Sequence, residues 1–455
     1  MGTGGVAGPS IVRSTAHRVA LGGRGTVRCA FDAIGGTGFG IMAAVRGPEP
    51  ERIGAQPRSD VMSPQPDRPT IPADEYPVRW GRVQALLAER ELDLLVAYAD
   101  DRAAFGPAHA RWLADFPVHF EPACVLVPAE GQPVMLVGPE SDEYARLRGR
   151  IPDVRVLREL THPDEDYPYS VIQGLGEIVA DVGLDRRSLR RVGLAGRGLM
   201  GADTLRAFEA ALPAVDWVDV EAAVCDLRAC KSVAEIAVIR EAYRIAELGV
   251  EAAVDVIGPG VTERTVAAEI ESAMRRAGAE GTGIDTIVAS GPNTRPILAR
   301  STFRAIASDD LVLLTVAPRY EGYHAAVGRL VLVGDPGPVV REALDVAIRA
   351  QKACAGLLRP GIEGRAVEAV GRRIVEEAGL GEAFLYSGLH SVGVIEFEPP
   401  IFGPSSPALL RPDMVISIDI PMFDTDWGGL RVEDGYLITE DGSERLERTP
   451  YVIQR

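Results

Sequence analysis

The stretch Leu311-Val-Leu-Leu-Thr-Val-Ala-Pro-Arg-Tyr-Glu-Gly-Tyr323 begins as an apolar strand and contains turn-forming residues near its end. The chain continues in strand-like sequence beyond it, so the pattern predicts a β-hairpin with Arg319 and Tyr320 at its turn. Successive side chains of a strand point to opposite faces, which places His324 and Ala326 on the same face. We therefore expect His324 to face the same space as Ala326.

Two pairs of helices flank this hairpin in the sequence. Ser232 and Glu235 form a capping box that begins one helix, which ends at 258–260, and a second helix follows. A matching pair is predicted over about 339–358 and 364–379. Each pair precedes a block rich in strands. Two helix–helix–sheet units of similar length indicate an internal duplication around a central sheet.

The preceding part of the chain alternates between helix and strand. A helical pattern over 79–91 leads into an apolar strand over 92–98, and strands at 124–127 and 133–137 flank a Glu-Gly turn. These elements predict an α/β domain. Residues 1–72 are rich in Gly, Pro and Arg and lack periodicity, which favours a disordered extension or a start codon assigned too early.

The composition limits the classes of function. The formal charge is −17 and the pI is about 5.0, which argues against a nucleic-acid partner because phosphates require a basic surface. No apolar run reaches the roughly 18 residues of a membrane helix, so we expect no membrane partner. The five cysteines are scattered and form no CxxC pair, which is typical of thiols in a reducing compartment. We therefore predict a cytoplasmic protein.

Six segments together resemble the creatinase/aminopeptidase P/prolidase superfamily, whose metallopeptidases form peptidase family M24. In chain order they are Arg228–Ile236, Ala289–Asn293, Leu311–Tyr323, His390–Val394, Met414–Asp419 and Gly429–Asp434. The resemblance implies an α+β fold with an N-terminal α/β creatinase-like domain over 73–222. It further implies a C-terminal pita-bread domain over 223–455, with internally duplicated helix–helix–sheet units.

The metal-dependent members of this superfamily hold two ions with two aspartates, one histidine and two glutamates. By motif, these positions correspond to Thr315, Ala326, His390, Asp419 and Glu433. Threonine is a poor ligand for a divalent ion and alanine is none. A pair of ions about 3.5–4 Å apart needs several carboxylates to offset their repulsion, so the sequence argues against a dinuclear centre.

Two interpretations remain for the metal. The motif sequences are similar to those of creatinase, the metal-free branch of the superfamily, so we predict that no cofactor is needed. The alternative is a single divalent metal ion held by His390, Asp419 and Glu433, since one nitrogen and two carboxylates can bind one ion. Creatine itself is not the expected substrate, because Leu298 and Gly328 stand where creatinase has its histidine and a glutamate.

The predicted site uses the polar residues that remain near these motifs. His390 is the expected acid/base, Glu433 its carboxylate partner and His324 a second proton carrier. The predicted substrate-binding residues are Tyr323, Arg329, Glu398 and Arg431. Arg300 and Arg304 could bind a substrate carboxylate.

These assignments predict a creatinase-like hydrolase that cleaves a C–N bond in a small polar molecule without a dinuclear metal centre. The substrate would be an amide, an amidine or a dipeptide-like compound. One alternative is a mononuclear metal-dependent hydrolase or lyase similar to Xaa-Pro peptidases. Another is a non-catalytic binding protein on the same fold. The resemblance also implies a homodimer.

Overall fold

The computed structural model describes residues 68–102, 104–162, 164–184 and 189–455. The prediction made for residues 1–72 lies outside these ranges, apart from its last few residues. The helices are α1 (Glu75–Glu89), α2 (Ala108–Ala114), α3 (Asp142–Arg148), α4 (Leu175–Asp181), α5 (Ala202–Ala211), α6 (Glu221–Ala229), α7 (Val233–Val256), α8 (Glu263–Ala277), α9 (Pro338–Ala355) and α10 (Gly364–Glu377). Short 3-10 turns lie at Arg158–Leu160, Arg197–Leu199, Gly291–Thr294 and Gly381–Ala383.

The strands divide between an N-terminal and a C-terminal region. The first region contains β1 (Leu94–Ala99), β2 (Ala123–Pro128), β3 (Val134–Val137), β4 (Val154–Leu157), β5 (Ile172–Gln173), β6 (Arg191–Ala195) and β7 (Asp216–Asp219). The second contains β8 (Gly281–Thr282), β9 (Ile287–Ser290), β10 (Leu311–Val316), β11 (Pro318–Tyr320), β12 (Tyr323–His324), β13 (Val327–Leu332), β14 (Leu389–Ser391), β15 (Glu398–Ile401), β16 (Val415–Thr425), β17 (Gly428–Ile438), β18 (Ser443–Arg445) and β19 (Val452–Gln454).

The N-terminal region is built on one mixed sheet in the order β5-β4-β3-β2-β1-β6-β7. Its predicted hairpin is confirmed, because β2 and β3 pair antiparallel and Gly131 adopts a φ of 105° between them. The helix α4 starts only after Gly174, because Ile172 and Gln173 pair with β4. The interior strand β1 is buried along its whole length.

The C-terminal region shows the duplication that the sequence predicts. Its large sheet runs β15-β14-β16-β17-β13-β10-β9, with β18 and β19 paired to β17 and β13. The helices α7 and α8 precede β9, β10 and β13, whereas α9 and α10 precede β14 to β17. The two halves of the sheet meet where β13 pairs with β17, and there Gly328 lies opposite Glu433.

The helix ends follow the predicted capping chemistry. The Ser232 side chain accepts a hydrogen bond from the Glu235 backbone, and the Glu235 carboxylate accepts one from the Ser232 backbone, so the capping box is confirmed. Thr262 caps α8 by accepting from Thr265, and Gly278 ends it with a φ of 113°. Within the ranges that the structure describes, no helix is long and apolar enough to cross a bilayer.

Candidate active site

Three neighbouring strands of the second half of the sheet bring the central polar residues together. His390 on β14 lies opposite Ser417 on β16, and Asp419 on β16 lies opposite Glu433 on β17. The Ser417 hydroxyl donates a hydrogen bond of 2.8 Å to Glu433 Oε1. The strand register therefore fixes His390 and Glu433 next to each other. This agrees with their predicted pairing, and their catalytic roles stay predictions.

A third residue, Glu396, completes this group. Potential ligand atoms of His390, Glu396 and Glu433 all lie within 4.8 Å of one another, and all three residues are buried. His390 Nε2 is 3.5 Å from Glu433 Oε1, while His390 Nδ1 lies 3.0 Å from the carbonyl oxygen of Ser391. If Nδ1 carries the proton and donates it to that carbonyl, Nε2 faces the two carboxylates with a free lone pair. This is how metal-binding histidines are oriented in proteins.

The pKa values in this group reflect burial and mutual charge. Burial raises the pKa of Glu396 to about 7, and the negative charge of Glu433 adds to this effect although His390 opposes it. Burial by itself would also raise the pKa of Glu433, but His390, Arg431 and the Ser417 hydroxyl together hold it below its ordinary value. Burial lowers the pKa of His390, and the nearby Glu433 and Glu396 carboxylates more than offset this.

Arg431 occupies the space beside this group. Its Nε lies 3.0 Å from Asp419 Oδ2, and its Nη1 donates to Thr315 Oγ1 at 3.3 Å. Its Nε and Nη2 donate to the hydroxyl of Tyr386, which itself donates to Asp419. Burial raises the pKa of Asp419 to about 7 even though Arg431 lowers it. Two of the five positions where the family holds metal are thus bound to a guanidinium group.

These contacts decide which metal complement the residues fit. A single divalent ion fits, because one imidazole and two carboxylates converge on one space. With Asp419 included, three buried carboxylates face one guanidinium, so one divalent cation balances the charge of the ionised group. A pair of ions does not fit, because Thr315 and Ala326 supply no carboxylate. This group differs from the predicted single-ion set in one member: it contains Glu396 in place of Asp419, whose carboxylate is bound by Arg431 and Tyr386.

His324 lies outside this group. Its Nδ1 is 3.3 Å from the carbonyl oxygen of Gly393, and its side chain is buried. Burial lowers the pKa of His324 to about 3, and the positive charge of Arg319 lowers it further. The imidazole is therefore neutral at neutral pH, which gives no support to its predicted role as a second proton carrier.

Arg329 is buried in an ionic network rather than exposed to a substrate. Its guanidinium pairs with Asp434 and Glu447, and its Nη1 donates to the backbone carbonyl of Glu433 at 2.7 Å. A buried pair of this kind is costly to break. The geometry therefore points to a role in fixing β17, and the predicted substrate contact is left without support. The same holds for Arg431, whose donors are directed to protein groups.

Two further predicted substrate residues are also bound to protein groups. The Tyr323 hydroxyl donates to Glu235 Oε1 at 2.6 Å and accepts from Arg79 at 3.1 Å. Glu398 is fully buried and accepts a hydrogen bond of 2.7 Å from Arg228 Nε. Both side chains tie the N-terminal helices to the C-terminal region, so neither supports a direct contact with a substrate.

Sequence pattern alone provides only a weak signal for Glu396. Alternation along a strand predicts one common face for Glu396 and Glu398, but residues 393–397 form a bend and β15 starts at Glu398. Phe397 occupies the position where the family pattern has a second histidine, and its ring packs on His390 with centroids 4.4 Å apart. Because the backbone is irregular between them, Glu396 and Glu398 lie in different surroundings.

A cleft adjoins the group. Two cavities of about 740 and 610 Å³ share Val118, His119 and Arg319 in their walls, and the second is also lined by Gly283. A Cβ atom at Gly283 would lie 2.5 Å from His324 Cδ2 and 2.9 Å from Glu396 Cβ. Gly283 therefore lies between this cavity and Glu396, and a larger residue would not fit there.

This arrangement, a buried imidazole–carboxylate group at the seam of a duplicated sheet with a cleft beside it, defines a hydrolase of the pita-bread type. Residues 79–230 match the model of the creatinase/prolidase N-terminal domain, and residues 237–440 match metallopeptidase family M24. The chain therefore belongs to the M24 family of the creatinase/aminopeptidase P/prolidase superfamily, as its motifs indicate, and the predicted fold class is confirmed.

Individual proteins support this membership. The chain is 33% identical over 234 residues to the Xaa-Pro dipeptidase of Pyrococcus furiosus, which covers 51% of this chain and 67% of that protein. It is 31% identical over 281 residues to the uncharacterized peptidase YqhT of Bacillus subtilis, covering 62% and 78%. The solved prolidase from Pyrococcus horikoshii OT3 aligns with a TM-score of 0.71 at 24% identity, over 82% of this chain and 99% of that one.

Two predictions are wrong in the light of these relatives. The predicted creatinase-like C–N hydrolase that works without metal is contradicted, because the family is one of metallopeptidases and its relatives include Xaa-Pro dipeptidases. The prediction that no cofactor is needed is contradicted by the same finding. The prediction rests on the two missing aspartates and leaves out Glu396, which adds a carboxylate from another segment.

Proposed function

We propose that this protein is a peptidase that hydrolyses short Xaa-Pro-type peptides with one divalent metal ion per chain. The observation that carries the proposal is the convergence of His390, Glu396 and Glu433 within 4.8 Å. The names of the relatives support the class of substrate, since several are Xaa-Pro dipeptidases.

The protein groups around this site have separable tasks. His390, Glu396 and Glu433 would hold the ion, which when bound supplies Lewis-acid polarisation of a peptide carbonyl. Ser417 orients Glu433 through its hydroxyl, and the carbonyl of Ser391 orients the His390 ring. Burial of all three ligands limits competing water and strengthens their interaction with a cation.

Arg431 and Asp419 contribute to the shape and charge of the site. The guanidinium holds Asp419 away from the ligand group and neutralises part of its charge. Because Arg431 is also bonded to Thr315 and Tyr386, its position is fixed by the sheet. The site is therefore preorganised for one cation rather than two.

The experiment is an assay of protein stripped with a chelator and then supplied with Mn²⁺, Co²⁺ or Zn²⁺. We expect hydrolysis of Xaa-Pro dipeptides only after an ion is added, and loss of activity when the chelator returns. Matched dipeptides without proline measure the selectivity. Absence of peptide hydrolysis with all three ions would overturn the proposal, and so would full activity in the stripped protein.

Three organisational features are proposed on the same basis. The domain division at about residue 222 is supported by the two family matches, 79–230 and 237–440. A cytoplasmic location is supported by the free thiols of Cys124, Cys225, Cys230 and Cys354. A homodimer is implied by the family resemblance, and sedimentation equilibrium of the full chain tests it.

A further inference from the structure

The three proposed ligands of the ion differ in what holds their side chains. Glu433 accepts a hydrogen bond of 2.8 Å from the Ser417 hydroxyl. His390 Nδ1 lies 3.0 Å from the carbonyl oxygen of Ser391. Among the residues that the structure describes, none donates a hydrogen bond to the carboxylate of Glu396, although this residue is buried. The position of Glu396 therefore depends on the backbone that carries it and on the groups packed around it.

The bend over 393–397 carries Glu396, and its first residue is held by His324. The backbone N–H of His324 donates to the carbonyl oxygen of Gly393 at 3.0 Å, and His324 Nδ1 lies 3.3 Å from the same oxygen. The backbone N–H of Gly393 donates to the carbonyl oxygen of Ile395 at 3.0 Å, which closes the bend one residue before Glu396. One residue of the hairpin therefore supplies two donors to the segment that presents the carboxylate.

The surroundings of the His324 imidazole determine which of its nitrogens carries the proton. Burial lowers the pKa of His324 to about 3, and the positive charge of Arg319 lowers it further, so the ring is neutral at neutral pH. A neutral imidazole has a single N–H, and a hydrogen bond to the Gly393 carbonyl requires that this N–H is on Nδ1. The ring therefore serves as a hydrogen-bond donor to the bend.

Gly283 leaves the space in which the imidazole approaches Glu396. A Cβ atom at Gly283 would lie 2.5 Å from His324 Cδ2 and 2.9 Å from Glu396 Cβ, so both side chains pack against the same glycine. At its first residue the bend also contacts Glu398, since a Cβ atom at Gly393 would overlap Glu398 Oε2. The bend is therefore confined by His324 and by Glu398, and a displaced imidazole would leave space beside Glu396.

The last residue of the bend contacts the ligand group through ring packing. The ring of Phe397 lies against that of His390 with centroids 4.4 Å apart, and β15 begins at the next residue. Glu396 thus lies between Phe397, which packs on another ligand, and Gly393, whose carbonyl His324 binds. Its position is therefore set from both ends of the bend.

We propose that His324 is a positioning residue that holds Glu396 in place for the divalent ion. The inference rests on the proposed function, because it concerns a ligand of the same ion. His324 is not itself a ligand: its hydrogen bonds fix the bend, and its ring beside Gly283 limits where the Glu396 side chain lies. Groups that orient metal ligands from outside contribute ~10–100-fold to metal affinity. The hairpin that bears Ala326 would then support the site although it supplies no ligand.

The test measures the Kd for Mn²⁺ of chelator-treated protein by metal titration. His324→Leu removes the side-chain donor, so we expect the Kd to rise by ~10–100-fold. His324→Asn places an amide N–H near the position of Nδ1, so its Kd should stay within about threefold of wild type. Gly283→Ala inserts a methyl group between the His324 ring and Glu396 and should raise the Kd by at least ~10-fold. The matched control is Gly281→Ala, where the atoms nearest to a Cβ are the flexible ends of arginine side chains.

Hydrogen exchange of the metal-free protein separates positioning from a general loss of structure. The backbone N–H of Gly393 is protected by its hydrogen bond to Ile395, so it should exchange faster in His324→Leu than in wild type. His324→Asn should retain the wild-type rate at this position. Exchange within α9 reports on the rest of the domain and should be equal in all variants.

An unchanged Kd in His324→Leu would overturn the inference, as would equal losses of affinity in His324→Leu and His324→Asn. If His324→Leu does not fold, Gly283→Ala and Gly281→Ala make the same comparison. Wild-type protein that binds Mn²⁺ but cleaves no peptide would reject the peptidase, and the Kd values of the variants would still decide the role of His324. Peptide cleavage by wild type with equal Kd in all variants would support the peptidase and reject the positioning role. Wild-type protein that binds no Mn²⁺ would reject both.

Discussion

The two halves of the duplicated sheet carry different residues at the positions that correspond to metal ligands in the family. The first half, with β10 and β13, presents Thr315 and Ala326 where the family has metal-binding aspartates. The second half, with β14 to β17, retains His390 and Glu433 and adds Glu396. In the first half the threonine hydroxyl accepts from a guanidinium, while in the second the polar groups converge on a common space.

The two halves share one sheet scaffold although only the second half carries the group of His390, Glu396 and Glu433. The seam is intact, since Gly328 still pairs with Glu433. A Cβ atom at Gly328 would lie 2.8 Å from Arg431 Cγ and 2.9 Å from Glu433 Cβ. The first half therefore packs closely against Arg431 and Glu433 of the second half and restricts their side chains.

The largest expected effect tests whether the second half carries the chemistry. His390→Ala should lower peptide hydrolysis by roughly 1000-fold or more, because it removes the only nitrogen ligand of the described group. Steady-state kinetics at saturating Mn²⁺ measure this loss. The exposed His162 serves as the control, and His162→Ala should keep wild-type rates. Activity of His390→Ala near wild type would show that the chemistry lies elsewhere.

The Glu396→Gln variant tests whether the Glu396 carboxylate contributes to metal affinity. The amide keeps the size of the side chain but removes its charge, so we expect the Kd for Mn²⁺ to rise by at least ~100-fold. Asp419→Asn is the matched control: Arg431 and Tyr386 bind that carboxylate, and the Kd should change by only a few-fold. Metal titration of both variants decides which of the two carboxylates binds the ion. A larger rise in Kd for Asp419→Asn than for Glu396→Gln would support the predicted ligand set of His390, Asp419 and Glu433.

A third expectation concerns His324, which lies on the first half. Its pKa is about 3 in the folded protein against about 6.5 when unfolded, so only the unfolded state gains a proton between these values. Stability is therefore fully present above pH 6.5 and falls as the pH drops towards 3, by up to about 1.4 kcal/mol per pH unit. His324→Gln should remove this part of the pH dependence.

Urea unfolding of metal-free protein at pH 5.0 and 7.0 measures it. The difference in unfolding free energy between these pH values should be about 2 kcal/mol smaller in His324→Gln than in wild type. Equal pH dependence of the two proteins would mean that the pKa of His324 is the same in the folded and unfolded states, and its predicted role as a proton carrier would regain support.

The smallest effect tests the first half directly. Thr315→Val keeps the shape of the side chain but removes the hydroxyl that accepts from Arg431. We expect a loss of about 1 kcal/mol in the free energy of unfolding, with unchanged metal stoichiometry. Thermal unfolding and metal analysis check the two parts. A marked loss of bound metal would show that Thr315 takes part in binding the ion.

Much of the fold was predictable, because local chemistry determines it. The capping box at Ser232 and the repeated helix pairs follow from sequence pattern, and the motif order places His390 and Glu433. The role of Glu396 was not predictable, since it depends on a bend in the backbone that breaks strand alternation. The pairing of Asp419 with Arg431 depends on side-chain direction, which residue spacing does not encode.

The most direct test of the account is the number of ions that one chain binds. Chelator-treated protein is titrated with Mn²⁺, bound metal is quantified per chain, and electron paramagnetic resonance reports whether the ions are magnetically isolated. We predict one Mn²⁺ per chain with the signal of an isolated ion. Two exchange-coupled ions, or no specific binding, would contradict the claim that the second half of the sheet alone holds a single metal.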